Sequence, residues 1–263
     1  MRTLLSLLFI FSFAVSAQAG VQTKEIEYSS GGAKLKGYLA YDDSIKGQRP
    51  GILVVHEWWG HNQHARDRAH MLAELGYTAL AVDMYGDGKF ADHPEKAGEF
   101  MNAAFKDWKG SQAKFNAAKK ILQDHVTVDP YSIGAIGFCF GGAVSLRMAR
   151  EGADLDVVVA FHSALPLTPP VSPGQVKAVV RVINGADDGF LDPKTVATFK
   201  EEMSAATKDF KYISLEGVKH SYTNKQADEF REKFNIPALE YNEKADKNSW
   251  FAMQDLFKRV FAR

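Results

Sequence analysis

Apolar and polar positions alternate over residues 24–28 and again over 35–41, with Gly31-Gly32 between the two segments. Such alternation marks strands with one buried face, and a glycine pair suits a tight reversal, so an antiparallel hairpin is predicted here. Downstream the pattern changes. Residues 51–55, 77–82, 132–136, 156–161, 178–183 and 210–215 are short, mainly apolar runs. Runs of this kind fit strands covered on both faces, which have no solvent side to mark with polar residues. Between them, residues 63–75, 91–108, 111–125, 141–150, 192–206, 226–234 and 248–262 read as helices. Gly76 and Gly152 close two of these, Gly110 separates the second from the third, and Asp192-Pro193 supplies a cap and a first position. Strands alternating with helices over 200 residues predict the α/β class: a mostly parallel central sheet with helices on both faces, entered through an N-terminal antiparallel hairpin. There is no internal repeat. The proline-rich stretch 166–173 is short and lies inside the alternation, so it reads as a surface loop and not as a domain boundary.

Composition adds limits. The chain has 263 residues, 46% hydrophobic and 24% charged, which is ordinary for a globular protein and excludes a largely disordered or collagen-like one. Basic and acidic residues number 32 each and no basic run stands out, so no nucleic-acid partner is expected. Residues 1–19 read separately. Arg2 precedes an uncharged apolar run over 4–15, and Ala17-Gln18-Ala19 has the small-x-small form of a signal-peptidase site. The run is shorter than the roughly 17–25 residues of a spanning helix. Residues 1–19 are therefore expected to be a cleaved signal peptide and 20–263 a single domain, exported to the periplasm or secreted. No later run approaches spanning length, so no membrane association is expected of the mature form. The sole cysteine, Cys139, excludes an intrachain disulfide and a multi-cysteine metal site. A lone thiol in an oxidising compartment asks for a function.

In parallel sheets the reactive groups lie in loops at the carboxyl ends of the strands. Residues 137–142 read Gly-Phe-Cys-Phe-Gly-Gly, the G-x-C-x-G-G form of a nucleophile elbow with Cys139 in the serine position. Glycines two before and two after the nucleophile let strand and helix approach, and the helix start favours thiolate. The Phe140 N–H is then placed to donate to an oxyanion. A buried structural thiol is the plain alternative, but a position between a β run and a helix favours the nucleophile. Such an elbow needs an acid and then a histidine downstream. In Gly185-Ala186-Asp187-Asp188-Gly189-Phe190-Leu191-Asp192, the spacing Gly-x-x-Asp-x-x-Leu selects Asp188 and leaves Asp187 to a turn and Asp192 to a cap. His220 is the only histidine beyond that loop. The loop at 56–61, His-Glu-Trp-Trp-Gly-His, is a near miss for H-E-x-x-H and follows a strand, not a helix, so no metal is expected. It is expected to bring the Trp58 N–H as second oxyanion donor and Glu57 close to Cys139. Trp59, Tyr85, Phe138, His162 and Tyr222 flank these groups and are candidate pocket residues.

The Glu57 loop, the G-x-C-x-G-G elbow, Gly-x-x-Asp and the Gly-Val-Lys-His-Ser-Tyr segment at 217–222 resemble the dienelactone hydrolase family of α/β-hydrolases. The resemblance covers nearly all of residues 20–263. It implies a Cys139-His220-Asp188 triad, a Glu57 that contacts the resting thiol and helps to activate it when substrate enters, and a cofactor-free hydrolase of small ester or lactone substrates. One departure is visible. Two arginines that hold the substrate carboxylate in the family prototype are replaced by Asp87 and Asn224. Neutral esters or lactones are therefore expected to be preferred over carboxylate-bearing dienelactones. Because a triad acts on the carbonyl and not on the leaving group, thioesters and peptides stay open as substrates, as does a non-catalytic binding protein on the same fold.

Overall fold

The computed structural model describes residues 20–262, so the expected leader lies outside the described residues. Strands β1 (Val21–Ser30) and β2 (Ala33–Asp42) form the antiparallel hairpin across Gly31-Gly32. The chain continues through β3 (Arg49–Val55), α1 (Gln63–Glu74), β4 (Thr78–Val82), α2 (Pro94–Lys106), α3 (Trp108–Gln123) and β5 (Val128–Phe138). Then follow α4 (Phe140–Arg150), β6 (Val157–Phe161), β7 (Val179–Gly185), α5 (Pro193–Ala206), β8 (Phe210–Leu215), α6 (Ala227–Phe234) and α7 (Glu243–Phe261). One eight-stranded sheet runs in the order β1-β2-β4-β3-β5-β6-β7-β8. The β1–β2 and β2–β4 pairs are antiparallel and the others parallel. The carboxyl ends of β3, β5, β6, β7 and β8 therefore lie side by side along one rim.

The apolar runs hide a period of two. Leu53 and Val55 of β3 enter one core, with Phe115 and Leu122 of α3, Val144 of α4 and Phe199 of α5. Ile52 and Val54 enter the other, with Ala69 and Leu72 of α1 and Met253 and Leu256 of α7. Both faces are covered, so alternate side chains are equally apolar. On the second face a buried ion pair joins the helices: Arg68 Nη2 of α1 donates to Asp246 Oδ1 of α7 at 2.8 Å and to the Thr223 carbonyl at 2.6 Å.

Three helix boundaries differ from the sequence reading, the first being the start of α2 at Pro94 behind a His93 cap instead of at residue 91. The break between α2 and α3 falls at Asp107, not at Gly110. Asp107 leaves helical geometry (φ −98°, ψ 65°) and its carboxylate accepts the Gly110 N–H, so Gly110 lies in the first turn of α3. Helix α7 begins at Glu243, earlier than expected, because the Asn242 side chain caps it through the Ala245 N–H at 3.0 Å.

Removing one partner of a buried ion pair strands the other. Arg68→Met is expected to destabilise the protein by about 3–5 kcal/mol, and the double variant Arg68→Met/Asp246→Leu to recover much of that loss. Urea unfolding of the three proteins checks this, since an undiminished loss in the double variant would place the damage outside the ion pair.

Candidate active site

Cys139 alone forms the turn between β5 and α4. Its backbone stands at φ +52°, ψ −114°, a conformation that costs a non-glycine residue about 1–3 kcal/mol. The neighbouring glycines explain how the turn is accommodated. A Cβ on Gly137 would fall onto the Gly141 carbonyl, and one on Gly141 onto the carbonyls of Val55 and His56. Strand β5, helix α4 and the end of β3 thus touch backbone to backbone. The Cys139 N–H donates to the Phe161 carbonyl at 3.0 Å, and its carbonyl accepts the Ala143 N–H at 3.2 Å. The Phe140 N–H, in the first turn of α4, has no acceptor within its own helix and stands at the positive end of the helix dipole.

The acid and the histidine come from the loops after β7 and β8. His220 Nδ1 donates to Asp188 Oδ2 at 2.7 Å, and Asp188 Oδ1 accepts the Phe190 N–H at 3.0 Å. Both side chains are buried. Asp187, by contrast, is exposed, and Asp192 caps α5 through the Thr195 N–H at 2.9 Å. The His220 main chain is held at both ends, its N–H by the Ala238 carbonyl and its carbonyl by the Glu240 N–H. Burial opposes charge on the ring, but negative charge on Cys139, hydrogen bonds with Asp188 and Cys139 and the Asp188 charge outweigh it, and His220 is raised from 6.5 to about 10.

The loop after β3 lies against this turn, because β3 and β5 are neighbours with Val55 opposite Gly137. His56 and His61, the ends of the near-miss metal motif, turn to the backbone instead. His56 donates to the Glu57 carbonyl at 2.6 Å and accepts the Met84 N–H at 3.4 Å, and His61 Nε2 donates to the Ala81 carbonyl at 3.2 Å. Trp58 is half-buried, and its carbonyl accepts the Tyr85 hydroxyl at 3.0 Å. The Tyr85 ring packs on His56 and Phe140, with centroids 4.7 and 5.4 Å apart, and burial, with charge on Cys139 adding to it, raises its hydroxyl above the usual phenol range.

Several expectations need correction. Trp59, Phe138, His162 and Tyr222 do not line an open pocket, for each is at most 2% exposed. Trp59 packs on Phe230 and Phe234, Phe138 stacks on Phe161, and the Tyr222 hydroxyl donates to the Ile183 carbonyl at 3.0 Å. Glu57 is buried as well, and its carboxylate accepts from Ser221 Oγ at 3.1 Å and from Asn224 Nδ2. Conversely, Phe190 escaped notice. Its ring stands perpendicular to His220 with centroids 4.9 Å apart, and it is 57% exposed, so it forms an aromatic rim over the imidazole. The signal was its place two residues after Asp188. A cavity of about 310 Å³ beyond Tyr85 is lined by Phe100, Lys89 and Lys114 among others.

A mostly parallel sheet with an N-terminal antiparallel pair, a cysteine in the tight strand-to-helix turn and a hydrogen-bonded aspartate and histidine on later loops is the α/β-hydrolase fold. The model of the dienelactone hydrolase family matches residues 35–261, and the chain belongs to that family, whose members hydrolyse ester or lactone bonds. Among solved structures it resembles m3DLH, with 35% identity and a TM-score of 0.86 over 92% of this chain and 99% of that one. It also resembles a dienelactone hydrolase-like promiscuous phosphotriesterase from metagenomic libraries, with 32% identity and a TM-score of 0.83 over 92% and 99%. Protein usf of Aquifex pyrophilus is 29% identical over 209 residues, 78% of this chain and 88% of its own.

Because folding raises His220, its protonated form favours the folded state. That contribution is complete below 6.5 and is lost as pH rises through about 10. Thermal unfolding of wild type and His220→Gln is expected to show a midpoint gap that narrows across this window, whereas a gap that widens would mean that folding depresses His220.

Proposed function

We propose that the protein is a cysteine esterase or lactonase acting through a thioester acyl-enzyme. The observation that carries this reading is the 2.7 Å His220–Asp188 bond behind a thiol held in a left-handed turn at a helix N-terminus. Cys139 Sγ attacks the carbonyl carbon while the Phe140 and Trp58 N–H groups receive the developing oxyanion. The imidazolium of His220, oriented by Asp188, gives its Nε2 proton to the leaving alkoxide as the C–O bond breaks. His220 then takes a proton from water, whose oxygen adds to the thioester, and collapse releases the acid and the thiolate.

Neutral substrates fit this site best. Asp87 is exposed in a turn between β4 and α2, and Asn224 is buried against Glu57, so neither position offers a cation to a substrate carboxylate. The exposed ring of Phe190 offers an apolar rim instead. The leader-like pattern of residues 1–19 supports export with cleavage after Ala19, and mass analysis of the protein from its host would then give Gly20 as the first residue.

Cys139→Ala is expected to lose about 10⁴–10⁶ in rate with its fold intact, as loss of a triad nucleophile does. A panel of aryl esters, lactones, thioesters, peptides and a phosphotriester on both proteins reads the loss and the acyl preference together. Substantial hydrolysis by the alanine variant would refute the assignment. Asp188→Asn is expected to damage kcat far more than Asp187→Asn, the reverse order placing the acid one residue earlier. Without an arginine clamp, kcat/KM for a neutral aryl acetate should exceed that for a carboxylate-bearing dienelactone by roughly 10–150-fold, the worth of one charge-assisted contact. Preference for the dienelactone would show that Lys89 or Lys114 has taken the clamp's place.

A further inference from the structure

Glu57 follows the end of β3 one residue before Trp58, and its side chain is fully buried. Both of its oxygens are engaged by the turn that follows His220, Oε1 by Ser221 Oγ at 3.1 Å and Oε2 by Asn224 Nδ2. That turn is strained. Ser221 stands at φ +57°, a conformation that a non-glycine residue keeps only where its surroundings dictate it. Other anchors act on the same turn. The Tyr222 hydroxyl reaches the Ile183 carbonyl, Arg68 donates to the Thr223 carbonyl, and Thr223 Oγ1 lies 2.8 Å from His162 Nε2 and 3.3 Å from His64 Nε2.

The two imidazoles also face Glu57, His64 Nδ1 at 3.9 Å from Oε2 and His162 Nε2 at 4.0 Å from Oε1. Burial drives both well below the usual histidine range, so they are neutral at neutral pH and bring no countercharge. Burial likewise raises Glu57, against the hydrogen bonds from Asn224 and Ser221 and the charges of His220 and Arg68. The polar partners of this carboxylate are thus those of the histidine turn.

Taking His220 as the catalytic base, we propose that Glu57 is a positioning residue: its carboxylate clamps the turn carrying His220 to the loop that presents the Trp58 N–H. The imidazole and the second oxyanion donor are then held in register before substrate arrives, by a bridge between two loops that the chain separates by more than 150 residues.

The test uses the full chain, a neutral aryl ester and iodoacetamide. Glu57→Ala cuts both bridges and should lower kcat about 10–100-fold with KM little changed, the cost of a misplaced catalytic group. Glu57→Gln keeps an oxygen for Asn224, and its amide can donate to Ser221 Oγ, so it should recover most of the kcat that alanine loses. The pH midpoint for alkylation of Cys139 should be the same in Glu57→Gln and wild type. If glutamine is as damaging as alanine and the midpoint moves, the charge of Glu57 acts on the thiol itself and the proposal is wrong. If Glu57→Ala does not fold, Asn224→Leu removes one bridge and leaves the carboxylate. It should lower kcat in the same way, and an unchanged kcat would overturn the clamp. Failure of the triad reading looks different, as activity that survives Cys139→Ala or His220→Ala whatever stands at 57.

Discussion

The left-handed backbone at Cys139 is the constraint on which the rest of the site depends. It is possible because Gly137 and Gly141 lack side chains, so β5 and α4 can close on each other and on the carbonyls that end β3. The same contact has two chemical consequences. It sets Cys139 at the positive end of α4 and brings the Glu57–Trp58 loop alongside. Sheet order then does the remainder, since β7 and β8 end on the same rim and deliver Asp188 and His220.

Much of this was legible from residue types alone. The alternation of runs and helices predicts the sheet because covering both faces leaves residues 51–55 of β3 and all of β6 apolar. The strand-to-helix turn at Cys139 and the pairing of Asp188 with His220 are legible because each needs a particular residue at a particular offset, and the chain holds one cysteine and only one histidine after the Asp188 loop. The helix break at Asp107 was not, because a glycine at 110 looks like a stop whereas the capping carboxylate that accepts its N–H is a matter of geometry. Local sequence also does not distinguish an aromatic that lines a pocket from one that packs. Trp59, Phe138 and Tyr222 stand next to reactive residues in sequence, yet the direction of each side chain is set by the element on the far side, α6 for Trp59 and β6 for Phe138. Phe190 goes the other way, since its exposed ring acquires meaning only when His220 arrives from a later loop.

Glu57 shows the same limit at the level of chemistry. A carboxylate in the loop beside the Cys139 turn invites a role in proton transfer. The buried donors that meet it, Ser221 and Asn224, are far away in the chain and turn it toward the histidine loop. Asn224 therefore has two effects. It removes a cation that could hold an anionic substrate, and it supplies a neutral amide that satisfies a buried carboxylate. The proposed preference for neutral substrates and the proposed clamp on the histidine turn both rest on this one side chain.

The central claim is that carbonyl chemistry passes through a covalent bond to Cys139. Acid quenching during turnover of a slowly hydrolysed aryl ester, followed by mass analysis of proteolytic fragments, tests it most directly. The account predicts an acyl adduct on the fragment containing Cys139 that disappears when the substrate is exhausted. An adduct on a serine or lysine elsewhere, or turnover with no adduct under conditions where deacylation limits the rate, would contradict it.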